Sequence, residues 1–250
     1  MYFEGNVSGH QKIALITGAS RRIGAEISTT LQQAGYGVVL HYRQSKACAD
    51  TLAASLNAKR AGSAWVVQAD LQSVAEINAM LDALIARHGR LDVLVNNASS
   101  FYPTSVGKVD EEQWDELFGS NLKAPFFLSQ AAASALQKQQ GCIVNIVDIY
   151  AKRSLPDYSV YSTAKAGLLA LTETLAKELA PNVRVNAVSP GAILWPDNKT
   201  IESVDAVIKR IPLQRQGQAS DIAETVLFLV QQAAYITGQV IAVDGGKGLV

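Results

Sequence analysis

The sequence predicts an α/β fold of the doubly wound Rossmann type: one domain over residues 1–250, with helices on both faces of a seven-stranded, mostly parallel sheet. Compact runs rich in Val, Ile and Leu recur along the chain, as expected of strands buried on both faces. Helical patterns separate these runs, and that alternation is the signature of successive βαβ units. No internal repeat, low-complexity tract or linker interrupts it.

Each element has a local reason. The first strand, 12–16, is the apolar run Lys12-Ile13-Ala14-Leu15-Ile16; it opens into the turn Thr17-Gly18-Ala19-Ser20-Arg21-Arg22-Ile23-Gly24 and a helix over 22–34. Residues 1–11 precede this strand as an extension. A strand at 36–42 leads to a helix at 45–60, and a strand at 63–69 leads to a helix at 73–88 that Gly89 closes. The strand 91–95 is followed by one long helix, 110–138, and the strand 142–147 by a helix at 158–180 that Pro181 closes. After the strand 183–188, the turn-rich interval Ser189–Lys199 is a candidate substrate lid, and a helix at 219–232 precedes the last strand, 239–243.

Composition narrows the class. An apolar fraction of 48% with 18% charged residues is globular, and a formal charge of zero argues against a broad nucleic-acid or anionic-membrane surface. No apolar run is long enough to span a bilayer and the start lacks a secretory signal, so a cytoplasmic protein is expected. Cys48 and Cys142 have no metal-ligand spacing; they read as two reduced structural thiols, and no metal is expected.

The chemistry centres on Tyr161 and Lys165, four residues apart and so on one helical face, with Asp148 thirteen residues before the tyrosine. An ammonium near a phenol favours the phenolate and eases proton donation, which suits reduction of a double bond. Alone, such a pair falls on a solvated helix face by chance. The N-terminal strand, turn and helix supply the context, since free N–H groups and a positive helix end receive a pyrophosphate. Gly18 permits the tight turn and Gly24 close helix packing, while Arg22 stands where the usual fingerprint has its middle glycine and aims a cation at phosphate or substrate.

No carboxylate ends the second strand. Arg43 and Ser45, with Arg22 nearby, offer donors for a 2′-phosphate instead, so NADPH is favoured over NADH; the competing reading of Arg43 is a surface charge. Asp70 reads either as an acceptor for the adenine amino group or as a helix N-cap. Asn97 and Ala98 follow a strand end where small residues admit a nucleotide and an amide can bond to ribose or backbone, although on its own Asn96-Asn97 reads as a structural turn. Ile23, Tyr42 and Leu71 flank these positions and complete the expected cofactor contacts.

The glycine turn, Asn97-Ala98, Asn121, the Tyr161–Lys165 pair, Pro190-Gly191 and Val243-Asp244-Gly245-Gly246 together resemble the short-chain dehydrogenase/reductase family from residue 12 onward. The resemblance implies a nicotinamide cofactor, Tyr161 as acid, Lys165 on the ribose, Asn121 in a water-mediated relay, Pro190 and Gly191 beside the cofactor, and a homotetramer. Most members carry serine where this chain has Asp148. A carboxylate there repels a developing alkoxide but suits a nitrogen heterocycle.

With His41-Tyr42-Arg43 and the run from Asn97 to Pro103, the pattern resembles the pteridine reductases within that family. That resemblance implies that Arg22 and Ser99 contact cofactor and substrate and that Phe101 stacks on a pterin; on residues alone Phe101 reads as core. Tyr158, three residues before Tyr161, is expected in the same pocket, with Leu194 and Trp195 from the lid. Arg22, Lys152, Arg153 and residues 194–199 are candidates for a folate tail. Gln44 departs from the arginine of some relatives and weakens the case for NADPH. The expected reaction is NADPH-dependent reduction of a dihydropterin or dihydrofolate. A carbonyl reductase of 3-oxoacyl thioesters or quinones and a non-catalytic NADPH sensor are the alternatives.

Overall fold

The computed structural model describes residues 11–193 and 204–250. Its seven strands are β1 (Ile13–Ile16), β2 (Gly37–Tyr42), β3 (Ala64–Gln68), β4 (Val93–Asn96), β5 (Cys142–Ile146), β6 (Arg184–Pro190) and β7 (Val240–Val243). They form one sheet in the order β3-β2-β1-β4-β5-β6-β7, with every pairing parallel. The strand order reverses between β1 and β4, and the crevice at the carboxyl ends there is where such sheets take a ligand.

The helices are α1 (Arg22–Gln33), α2 (Lys46–Lys59), α3 (Val74–His88), α4 (Glu111–Phe118), α5 (Ala124–Gln139), α6 (Ser159–Glu178), α7 (Val204–Lys209) and α8 (Ala219–Gln231). Alternation along each strand sends side chains to two cores. Ala14 and Ile16 of β1 join Ile27 and Leu31 of α1 and Ile222, Val226 and Leu229 of α8. Ile13 and Leu15 face the other way, with Ile77 and Leu84 of α3 and Leu128 and Leu136 of α5.

Three expectations are corrected. The helix expected over 110–138 is broken by a π-helical turn at Gly119–Lys123. Side chains occupy the carbonyls one turn back, Ser120 Oγ donating to Glu116 O at 2.9 Å and Asn121 Nδ2 to Leu117 O at 2.9 Å, and Pro125 has no N–H to give to the carbonyl four residues before it. The edge strand β7 is only partly buried, and among the described residues no strand pairs with its outer edge. Cys48 is exposed on α2, so only Cys142 is a buried structural thiol, pushed up to about 11 by its burial in β5. Helix α7 was not expected from the sequence.

Candidate active site

The glycine turn after β1 is built by close approach. Gly18 has φ +60°, and a Cβ there would press on Ala98 Cα at 3.0 Å. A Cβ on Gly24 would collide with Gly18 O and lie 2.6 Å from Asn97 Nδ2, so Gly24 packs α1 on the turn itself. Asn97 ties the turn down by donating to Thr17 O at 2.8 Å and Gly18 O at 3.1 Å. Of the two uses expected for this amide, ribose or backbone, the structure shows the backbone one.

Arg22 sits at φ +56°, the left-handed conformation that glycine adopts freely. The missing middle glycine is therefore missing only as a side chain, and its backbone shape is kept. Such a conformation persists only where the surrounding structure over-determines it.

The corner after β2, expected to take a 2′-phosphate, differs from that expectation in how its side chains pair. Arg21, rather than Arg22, donates to Ser45 Oγ at 2.7 Å, while Arg43 pairs with Asp70 at 3.1 Å. Asp70 is not the N-cap of α3: Ser73 fills that place and accepts from Glu76 N, while Asp70 accepts from Gln72 N at 3.0 Å. The Leu71 side chain is buried in the second core, Ile23 packs against the first, and Tyr42 is buried at the end of β2.

In the sequence His41 stands out only as part of the run His41-Tyr42-Arg43. In the fold it is buried, Nδ1 accepting from Gly18 N at 3.2 Å and Nε2 lying 3.1 Å from Ala69 O. These two bonds require the neutral tautomer with its proton on Nε2. Burial lowers its pKa to about 4, so the ring is neutral at ordinary pH.

The catalytic candidates meet across β5 and α6. Tyr161 Oη donates to Asp148 Oδ2 at 2.7 Å, and Asp148 Oδ1 accepts from Tyr150 N at 2.9 Å. Lys165 is fully buried, donates to Ile146 O at 2.9 Å, and lies 5.8 Å from the Tyr161 ring centroid. Burial lowers the Lys165 pKa to about 8 and raises that of Asp148, which Tyr150 N–H, Tyr161 and Lys165 only partly offset.

One expectation about charge is reversed. The phenol of Tyr161 is held well above its ordinary range, first by burial and then by the Asp148 carboxyl, with the Ser99 hydroxyl opposing weakly. In this fold Tyr161 is a neutral phenol that holds its proton against Asp148. The ammonium does not set its state.

Asn121 lies within the π-turn and is buried. Its Oδ1 accepts from Ser99 Oγ at 2.7 Å and its Nδ2 donates to Ser100 O at 2.9 Å, so its side chain fastens the loop after β4. Phe101 on that loop is 43% exposed, which removes the core reading. Its ring stacks on Tyr158 at 4.5 Å and meets Tyr161 edge-on at 4.8 Å. Tyr158 thus lies against Phe101, on the side where Tyr161 also meets that ring. Pro190 ends β6, and a Cβ on Gly191 would lie 2.5 Å from Asp244 Cβ, which explains the glycine. Of the tail candidates, Arg153 bonds the carbonyl of Val250. Leu194, Trp195 and the rest of the 194–199 loop lie outside the described residues.

Among the described residues no helix is long and apolar enough to cross a membrane. Residues 18–247 match the family model described as Enoyl-(Acyl carrier protein) reductase. The chain is 41% identical to Pteridine reductase 1 of Leishmania tarentolae, over 95% of this chain and 96% of that protein. It is 38% identical to 3-oxoacyl-acyl-carrier-protein reductases of Staphylococcus aureus, over 94% of this chain and 97% of theirs, and of Synechocystis, over 94% and 96%. With a parallel Rossmann sheet, a glycine turn at its switch point and a Tyr161–Lys165 pair on one helix, this chain is an oxidoreductase of the short-chain dehydrogenase/reductase family.

Proposed function

We propose that this protein is an NADPH-dependent pteridine reductase, taking dihydropterins or dihydrofolate to their tetrahydro forms. The observation that carries the reading is the pairing of Tyr161 with a carboxyl, Asp148, at 2.7 Å beneath a half-exposed Phe101 ring. A flat, electron-poor bicycle gains about 0.5–1.5 kcal/mol beyond burial from an offset aromatic face. A carboxyl group hydrogen-bonds ring nitrogens and amino groups, whereas a ketone would place a developing alkoxide beside it. The identity to a pteridine reductase supports the same reading.

The residues present fit the cofactor. The backbone of the Gly18 turn, closed against Ala98 and Gly24, would hold the pyrophosphate; Arg21 and Ser45 would hold the 2′-phosphate; Asn97–Ala98 and Lys165 would hold the nicotinamide end. Arg43, though paired with Asp70, adds charge to the same corner. Bound there, NADPH supplies the hydride. The chain supplies the proton, held on Tyr161 Oη against Asp148 Oδ2, and water excluded from this buried pair keeps that hydrogen bond strong. The homotetramer implied by the family belongs to the same proposal, and light scattering tests it.

A second reading, reduction of a 3-oxoacyl thioester, has its support in the relatives at 38% identity. Side-by-side assays of NADPH oxidation with dihydrobiopterin, dihydrofolate and an activated ketone, at about pH 5 and about pH 7, separate the two. Turnover of the pterins without the ketone is the expected result, and turnover of the ketone alone overturns the proposal.

A further inference from the structure

We infer that Glu116 is a positioning residue that sets the place of the Phe101 ring and so the width of the substrate slot. Its carboxylate holds both neighbours of that ring. Ser100 Oγ donates to Glu116 Oε1 at 3.1 Å, and Tyr102 Oη donates to Oε2 at 2.9 Å. Phe101 lies between these two anchors, and its side chain has no polar group to fix it. The same stretch is bonded again from below, Ser100 N donating to Ser120 Oγ at 3.3 Å and Ser100 O accepting from Asn121 Nδ2 at 2.9 Å.

The arrangement is more than a surface contact. Tyr102 is held up to about 12, first by burial and then by its bond to the Glu116 carboxylate, so the phenol keeps the proton that this bond uses. Glu116 sits on α4 one turn before the π-turn, and its own carbonyl accepts from Gln72 Nε2 at 3.1 Å and Ser120 Oγ at 2.9 Å. The carboxylate therefore projects from backbone fixed on two sides. A loop residue placed by two charge-assisted bonds from a rigid element is preorganised for a flat ligand, and loosening it lowers affinity through lost order rather than lost contact.

The inference rests on the pterin reading for its ligand but not for its geometry, and the experiment has two readouts for that reason. The first is the ¹⁹F resonance of Phe101 in protein carrying fluorophenylalanine, assigned with Phe101→Leu, in wild type, Glu116→Ala, Glu116→Gln and the double variant Ser100→Ala/Tyr102→Phe. Glu116→Ala and the double variant are expected to move that resonance away from its stacked position, with Glu116→Gln between. The second is equilibrium binding of dihydrobiopterin to enzyme saturated with NADP⁺. Here Glu116→Ala is expected to weaken binding about tenfold, near the full value of one aromatic stack, while Glu116→Gln retains part of it and NADPH affinity and the kcat of bound substrate change less than about twofold.

An unmoved resonance in Glu116→Ala overturns the inference. So does a moved resonance with unchanged pterin affinity, or a loss of NADPH affinity as large as that for the pterin. If wild-type enzyme binds no pterin while the resonance moves, the pterin reading fails and the positioning role stands.

Discussion

Asp148, bonded to Tyr161, is the residue on which the proposed proton delivery turns, and its role is testable alone. Burial holds its proton to higher pH than an ordinary carboxyl, so turnover should rise as pH falls from about 8 to about 5; a flat profile would remove the carboxyl from proton delivery. Asp148→Asn keeps a hydrogen-bonding side chain but no acid. We expect kcat to fall roughly 10²–10⁴-fold with KM within a few-fold, and an unchanged kcat would exclude Asp148 from the mechanism. Arg22 makes a second residue-scale case. Because its φ is +56°, Arg22→Gly should be more stable than Arg22→Ala by about 1 kcal/mol in urea unfolding, although both delete the guanidinium. Equal stabilities would show that the backbone there is unstrained.

Among elements, α1 makes a close contact with the glycine turn. Gly24→Ala would drive a methyl into Gly18 O and the Asn97 amide. Neither can yield, since Asn97 is bonded to Thr17 O and Gly18 O, so α1 must lift. Loss of roughly 1–3 kcal/mol of stability together with NADPH affinity is the expected outcome in thermal unfolding and fluorescence titration. Retained NADPH affinity would mean that the turn tolerates a displaced helix. The π-turn between α4 and α5 was not legible in the sequence, because Asn121, Ser120 and Pro125 each suit an ordinary helix edge or start and act against helix only in combination.

For the whole molecule, His41 links three strands: it sits on β2, receives the Gly18 N–H that follows β1, and lies against Ala69 O beyond β3. Its folded pKa of about 4 is below the unfolded 6.5, so between these values the unfolded chain binds more protons. The stabilising contribution is complete above about pH 6.5 and is lost as pH falls through about 4, to the extent of about 3 kcal/mol. His41→Gln should flatten the fall in melting temperature over that window relative to wild type. An unchanged slope would place the acid sensitivity elsewhere; His88, also lowered to about 4 by burial, is the next group to replace.

The sequence by itself determined the layered sheet, the order of its elements and the residue types of the site. Strand runs, glycine turn and the spacing of Asp148, Tyr161 and Lys165 are local, and local pattern is what periodicity and motif report. Tertiary structure decided which groups meet and in what state. It gave Ser45 to Arg21 and Asp70 to Arg43, left Phe101 half-exposed against Tyr158 rather than in the core, and set Tyr161 against a carboxyl whose proximity and shared burial outweigh the nearby ammonium. The physical reason is distance along the chain: these contacts join residues from different elements, and the burial that shifts their protonation exists only once the sheet and helices have closed around them.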